Sequence, residues 1–442
     1  MKPAIARFAF GIVVVAIGAA AFAIAFRAGL SFVYRALLSG HDVLDAFRAQ
    51  PRLVRVALPV AGGLLVGMVA RAGAKGGGVG EVMEAVVLGR THLDLGRTSS
   101  KALGSWLAIA SGGSIGREGP LIQFGGALGS AIARVMRLPD TSTRALIAAG
   151  TAAGFASAYN TPFAAVLFVL EIVTGVVVLE AIAPVMIATV IATALTQHVV
   201  GGGPIYGLRA FTMVSSTELL ASSTELFLHA LLGIVAALVG QGFMRCLALG
   251  ERAFERTGVS QPFRAMLGGL VVGLLAIELP EITGNGYEPL NMLLDGHFAI
   301  SLVCVLVFAK VLATTASVAS GSPGGVFTPS LFLGGAVGVL FGHVASVLHL
   351  PGSEGAFALV GMAAVSAATT HAPMMAAVLV FEISGDYAIA LPLVLATAVA
   401  TMVSRRLSPD SLYAAELRRK GVTWTLTYDG RHTVSPARHG QG

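Results

Sequence analysis

Glu118 is a carboxylic acid set in apolar sequence, within Gly116-Arg117-Glu118-Gly119-Pro120. An acid inside such a stretch marks a functional position, because desolvating its charge is costly. Its neighbours suit one kind of chemistry. Glycines let a solute approach the backbone. A proline in the first helical turn gives up nothing, since its missing N–H would have no partner there anyway. A helix starting here presents amide N–H groups without internal acceptors and the positive end of its dipole. Several such starts converging can hold a dehydrated anion without a full positive charge, and so without trapping it. The Glu118 carboxylate is itself an anion and can fill such a site from within the chain; protonation would neutralise it and free it to swing away. Arg117 then shapes the turn or raises the local positive potential.

The segment occurs twice. Gly116 to Gly129 and Gly325 to Gly338 both read GxxxPxxxxGGAxG, 209 residues apart. Pro162 to Ile172 is matched by Pro373 to Ile383, 211 residues apart, with Glu171 and Glu382 at equivalent places. A weaker correspondence joins Gly78 to Gly286, 208 residues apart. Because both copies keep the acid of the second pair, Glu171 and Glu382 are expected at helix ends in a structural role. Lys310, at the end of a long apolar run, is expected either to snorkel to an interface or to bias an anion entrance.

The elements that must position these residues are membrane helices. The chain is 55% hydrophobic and only 12% charged, with a mean hydropathy of +0.81, whereas soluble domains carry about 25% charged residues. Ala4 to Phe26 is long enough to span a bilayer, at roughly 20 residues per span, and does not resemble a cleaved leader. Glycine makes up 55 of 442 residues, far above the roughly 7% norm; in membranes this allows close helix contact and non-helical backbone lined by protein. Apolar runs fall at 4–38, 53–73, 102–113, 120–136, 144–157, 162–174, 177–200, 225–249, 263–279, 298–318, 329–349, 355–369, 373–384 and 388–404. Several are too short to cross the roughly 30 Å core. Short, Gly- or Pro-interrupted segments at matching places in two halves predict discontinuous helices that end near the midplane, where such duplicated proteins bind their solute. Repeat one covers about 4–200 and repeat two about 225–405, joined by a polar stretch. An amphipathic helix is expected over 411–420 and a mostly disordered tail over 422–442.

The formal net charge is +6, with Lys2, Arg7, Arg405, Arg406, Arg418, Arg419 and Lys420 near the ends. Basic flanks favour the cytoplasm, so both termini are expected there, and the tail is expected to lie beside lipid rather than nucleic acid. Cys246 and Cys304 lie in apolar runs and read as buried small hydrophobes. The histidines form no HExxH spacing and there is no GxxxxGK[ST] loop, so neither a metal-dependent membrane enzyme nor an ATP-driven pump is indicated. No metal or organic cofactor is expected.

GREGP at Gly116–Pro120, Gly324-Gly325-Val326-Phe327-Thr328-Pro329, the Tyr-Asn-Thr-Pro of 159–162 and the late Leu412-Tyr413 together resemble the CLC family of chloride channels and chloride/proton antiporters. The likeness runs from about residue 4 to 421. It implies an all-α, multi-pass cell-membrane protein of two inverted-topology repeats, and a homodimer with one anion pathway per subunit. Residue by residue, it makes Glu118 the gating glutamate. It makes the amides of Val326 and Phe327 ligands of a central anion, and Tyr413 the inner tyrosine whose neutral hydroxyl points at that anion. Gly116, Arg117 and Gly119 frame the anion site. Two departures matter. Where the family usually has GSGIPE, this chain has Gly76-Gly77-Gly78-Val79-Gly80-Glu81, so Gly77 replaces a serine hydroxyl. Where many antiporters carry an inner proton-accepting glutamate directly after the position of Glu171, this chain has Ile172. The first predicts weaker and less selective chloride binding. The second leans toward passive, channel-like movement of chloride and other small anions; proton-coupled antiport remains the alternative, with Glu118 and Glu171 as its proton-path candidates.

Overall fold

The structure is a computed structural model describing residues 3–72, 78–175, 179–201, 223–419, 421–427 and 430–434. The first half forms α1 (Pro3–Leu37), α2 (Val43–Ala49), α3 (Arg52–Ala72), α4 (Val79–Leu88), α5 (Leu95–Ala110), α6 (Glu118–Val135), α7 (Asp140–Tyr159), α8 (Pro162–Leu167) running into a π-helical turn (Phe168–Thr174), and α9 (Leu179–Val200). The second half forms α10 (Ser223–Arg256), α11 (Gln261–Ala276), α12 (Tyr287–Leu294), α13 (Ile300–Ala319), α14 (Phe327–Val347), α15 (Glu354–Thr370), α16 (Pro373–Ser384) and α17 (Ala390–Leu407), followed by α18 (Leu412–Arg419). Among the described residues, seven helical stretches are long and apolar enough to cross a membrane. Four further stretches, α8 with its π-helical turn, α11, α15 and α16, are apolar but shorter. The fold is thus an all-α membrane architecture of two inverted repeats with discontinuous helices.

The duplication is visible as packing. The motif glycines let equivalent helices meet backbone to backbone: a Cβ on Gly125 of α6 would strike the Gly150 carbonyl of α7, and one on Gly334 of α14 would strike the Gly361 carbonyl of α15. The equivalent helices α3 and α11 pack on each other in the same way, with Gly63 against Ala265 and Gly269 against Pro59. Close approach through small residues is how helices associate where lipid removes the hydrophobic drive. Some buried hydroxyls inside the helices are satisfied locally, as Thr151 bonds the Ile147 carbonyl and Thr397 the Leu393 carbonyl.

Three expectations are corrected. Lys310 does not snorkel. It is buried in α13, and its Nζ donates to the carbonyls of Ile282 (2.9 Å) and Gly284 (3.2 Å), bracing the loop that leads to α12. That loop turns at Gly286, whose φ of 89° is a left-handed conformation natural to glycine. Cys246 and Cys304 are exposed on their helices rather than buried. The tail is not without regular structure: β1 (Thr423–Thr427) pairs antiparallel with β2 (Gly430–Val434). Tyr428 lies outside the described residues.

Candidate functional site

The two copies of the motif meet head to head. Gly116 N donates to Gly325 O (2.6 Å), and Gly325 N donates back to Gly116 O (2.9 Å), a two-residue antiparallel bridge across the repeat boundary. Each residue treats its equivalent alike, the signature of a two-fold contact. The bridge fixes α6 and α14 with their N-termini facing each other. Behind it, the Ser114 amide donates to Ser317 Oγ (3.1 Å) and the Ser114 hydroxyl pairs with Thr314 Oγ1 (3.0 Å), tying the turn before α6 to α13.

Glu118, in the first turn of α6, is 1% exposed. Its carboxylate crosses to the N-terminus of α14: Oε1 accepts from Phe327 N (2.9 Å) and Thr328 N (3.3 Å), and Oε2 accepts from Thr328 Oγ1 (2.9 Å). The otherwise unpartnered first-turn amides of α14 therefore already hold a negative group. The glycines on both sides make room for it, since a Cβ on either Gly116 or Gly325 would collide with the carboxylate. A Cβ on Gly119 would sit 3.3 Å from Gly325 N, so this turn too is closed against the bridge. The Thr328 hydroxyl has a second contact, to Tyr159 OH at the end of α7 (2.8 Å).

Arg117 forms no ion pair with Glu118. Its guanidinium lies over the Tyr287 ring, 5.5 Å from the centroid, so it adds positive potential near the site without neutralising the acid. Val326 is the N-terminal cap residue of α14; the amides that reach the carboxylate belong to the next two residues. Tyr413 of α18 is buried, within electrostatic reach of Glu118. It stands edge-on to Phe168 at 6.3 Å, and Phe168 stacks on Phe155 at 4.6 Å. Phe155, Tyr159 and Phe327 complete this aromatic cluster between α18 and the start of α14. Gly77 lies outside the described residues.

The second pair of equivalent acids is placed symmetrically. Glu171 accepts from Met374 N (3.2 Å) and Met375 N (2.7 Å) at the start of α16. Glu382, at the far end of α16, accepts from Phe163 N (3.1 Å) and Ala164 N (2.7 Å) at the start of α8. Each repeat thus supplies the carboxylate that caps the other repeat's helix. Ile172 is buried within the π-helical turn.

Sequence reasoning brought Glu118, Gly116, Gly119 and Phe327 to one place, and the structure assembles them. It missed Thr328 and gave Tyr159 no role. The available signal was a hydroxyl residue in the first turn of a helix whose free amides already mattered.

The chain is similar to known proteins across most of its length. A family model described as voltage gated chloride channel matches residues 57–405. A ClcB-like protein of Ralstonia nicotianae is 38% identical over 394 residues, covering 86% of this chain and 90% of that protein. The voltage-gated ClC-type chloride channel ClcB of Citrobacter koseri is 38% identical over 325 residues, covering 73% of this chain and 76% of that protein. Among solved structures, a slow cyanobacterial Cl-/H+ antiporter superposes with a TM-score of 0.84 at 24% identity, covering 95% of this chain and 98% of that one. At these identities the structural likeness speaks to the fold.

Proposed function

The chain belongs to the voltage-gated chloride channel family, and from that membership and the geometry around Glu118 we propose that it carries chloride and other small anions across a cell membrane, along a path that Glu118 closes. The observation behind this is the seat of the Glu118 carboxylate: a negative group from α6 occupies the amides of α14, which are suited to an anion. An ionised Glu118 competes with the permeant ion for those donors. A protonated Glu118 loses its claim on them and can leave, so acid opens the path. Tyr413 serves as an inner neutral donor, and Gly116, Gly119 and the Phe327 amide form the frame around the anion.

Conduction in this proposal is passive. Position 172 supports it: Ile172 can carry no proton, and the adjacent Glu171 carboxylate is engaged by two α16 amides. The functional unit is proposed to be a homodimer with one pathway per subunit. Both termini are proposed to be cytoplasmic, on the strength of their basic residues.

The test uses purified protein in liposomes under a chloride gradient with the voltage clamped, recording chloride and proton movement together. The proposal expects chloride flux with no coupled protons. Uphill proton movement driven by chloride would establish antiport instead and would require a proton route that avoids Ile172.

A further inference from the structure

The hydroxyl pair behind the Glu118 carboxylate is not needed to fill the α14 amides, yet it is built into the site. Thr328 is 1% exposed and Tyr159 4%. Other buried threonines here, such as Thr151 and Thr397, bond the carbonyl four residues back in their own helix. Thr328, in the first turn of α14, points at Glu118 Oε2 instead. A hydroxyl has one proton, and an ionised carboxylate can only accept. Thr328 therefore spends its proton on Glu118, and in the 2.8 Å contact with Tyr159 the phenol must be the donor. The order is Tyr159 O–H to Thr328 Oγ1, then Thr328 O–H to Glu118 Oε2. Such a chain polarises each bond in turn and ends in a charge-assisted one, which is stronger than a neutral pair.

We propose that Thr328, oriented by Tyr159, is a switchable donor in the permeation path: it holds the Glu118 carboxylate in the closed state and becomes a side-chain ligand of the permeant anion once Glu118 leaves. This rests on the reading of Glu118 as the gate. With the carboxylate gone, Tyr159 still occupies one lone pair of Thr328 Oγ1, so the Thr328 proton stays aimed at the vacated place. An anion entering there meets the amides of Phe327 and Thr328 and one hydroxyl. The chain thus places a hydroxyl donor on α14, although Gly77 supplies none in the first conserved segment. The other charged and titratable groups around Glu118 stay unchanged in the variants below. They are Arg117 on its own turn, with Arg27 of α1 and Tyr287 and Glu288 of α12 around its guanidinium. Tyr413 of α18 also lies within electrostatic reach of Glu118, with Glu416 of α18 near Tyr413. Thr328 is a ligand in this scheme, and Tyr159 a positioning residue that acts through it.

The test compares Thr328→Val, which keeps the shape and removes the hydroxyl, with Thr328→Ser and Tyr159→Phe. Each is made in the natural chain and in a Glu118→Ala background. In the natural chain, removing the hydroxyl weakens the ionised, docked state, so the pH that half-activates chloride efflux from liposomes should move up by about one unit, equivalent to a tenfold change in the gate equilibrium. In the Glu118→Ala background, Thr328→Val should weaken chloride binding by roughly three- to tenfold in calorimetric titration of the purified protein. Thr328→Ser should restore both readouts, and Tyr159→Phe should shift both in the same direction by less. The Glu118→Ala parent checks the gate separately: if its efflux still depends on pH, the gate reading fails, while the binding comparison still decides whether Thr328 is a ligand. Unchanged activation pH and unchanged chloride affinity in Thr328→Val would overturn the proposal. If Thr328→Val does not fold, the same pair of null results in Tyr159→Phe would overturn it.

Discussion

Two copies of one segment meet at the Gly116–Gly325 bridge, and they have taken opposite parts. At the 209-residue offset, Glu118 and Phe327 are equivalent positions, both first residues of their helices. The first copy brings a carboxylate; the second brings the amides that hold it. Had both kept the acid, two buried negative charges would face each other. Had neither, the α14 amides would have no internal stand-in for an anion. The other equivalent pair, Glu171 and Glu382, kept its symmetry, and each caps the opposite repeat. In this duplicated fold, symmetric residues carry the scaffold and the broken symmetry carries the switch.

The largest effect should come from the glycines at the bridge. Gly116→Ala and Gly325→Ala both place a methyl where the Glu118 carboxylate lies. Each should displace the acid and, because the anion uses the same place, anion efflux should lose its pH dependence while anion binding there weakens by roughly tenfold, as expected for losing bonds to a charged group. The effect should be similar from either side; an effect from one glycine alone would mean that the carboxylate rests against only one copy.

The acid caps should be symmetric in stability. Glu171→Gln and Glu382→Gln each weaken two charge-assisted bonds and should cost about 1–3 kcal/mol in thermal unfolding. If Glu171→Gln also altered proton movement while Glu382→Gln did not, the first would be a proton site as well as a cap.

The smallest effect concerns a cap present in one repeat only. Asp94 accepts from the Arg97 amide (3.0 Å) at the start of α5, whereas the N-cap residue of α13 is Ala299, which offers no side-chain cap. The bond from the Arg97 amide holds the exposed Asp94 carboxyl below its ordinary range. Its contribution is therefore present above the unfolded carboxyl range and disappears as pH falls through the lowered value. Melting curves of the natural chain and Asp94→Asn should differ slightly at neutral pH and converge in acid.

Much of this was legible in the sequence, because a duplication repeats its own signals. The two offsets gave the halves, the short apolar runs gave the broken helices, and the acid at Glu118 stood out against its surroundings. What stayed hidden was long-range or faceless. Nothing local says that Tyr159 reaches Thr328, 169 residues away. Lys310 looked free to snorkel because the carbonyls that accept its hydrogen bonds belong to a distant loop. A helix that is apolar nearly all round shows no buried face in its sequence, so the exposure of Cys304 in α13 could not be read. The hairpin was legible and overlooked: Thr423 to Thr427 alternates threonine with Trp424 and Leu426, a pattern that favours a strand.

The central claim is that the Glu118 carboxylate occupies an anion's place. Chloride efflux from liposomes, measured from neutral to acid pH in the natural chain and in Glu118→Gln, tests it most directly. Efflux that rises with acid in the natural chain, and is high and insensitive to pH in Glu118→Gln, is the predicted result. A folded Glu118→Gln protein that conducts nothing, or that keeps the natural pH dependence, would contradict it.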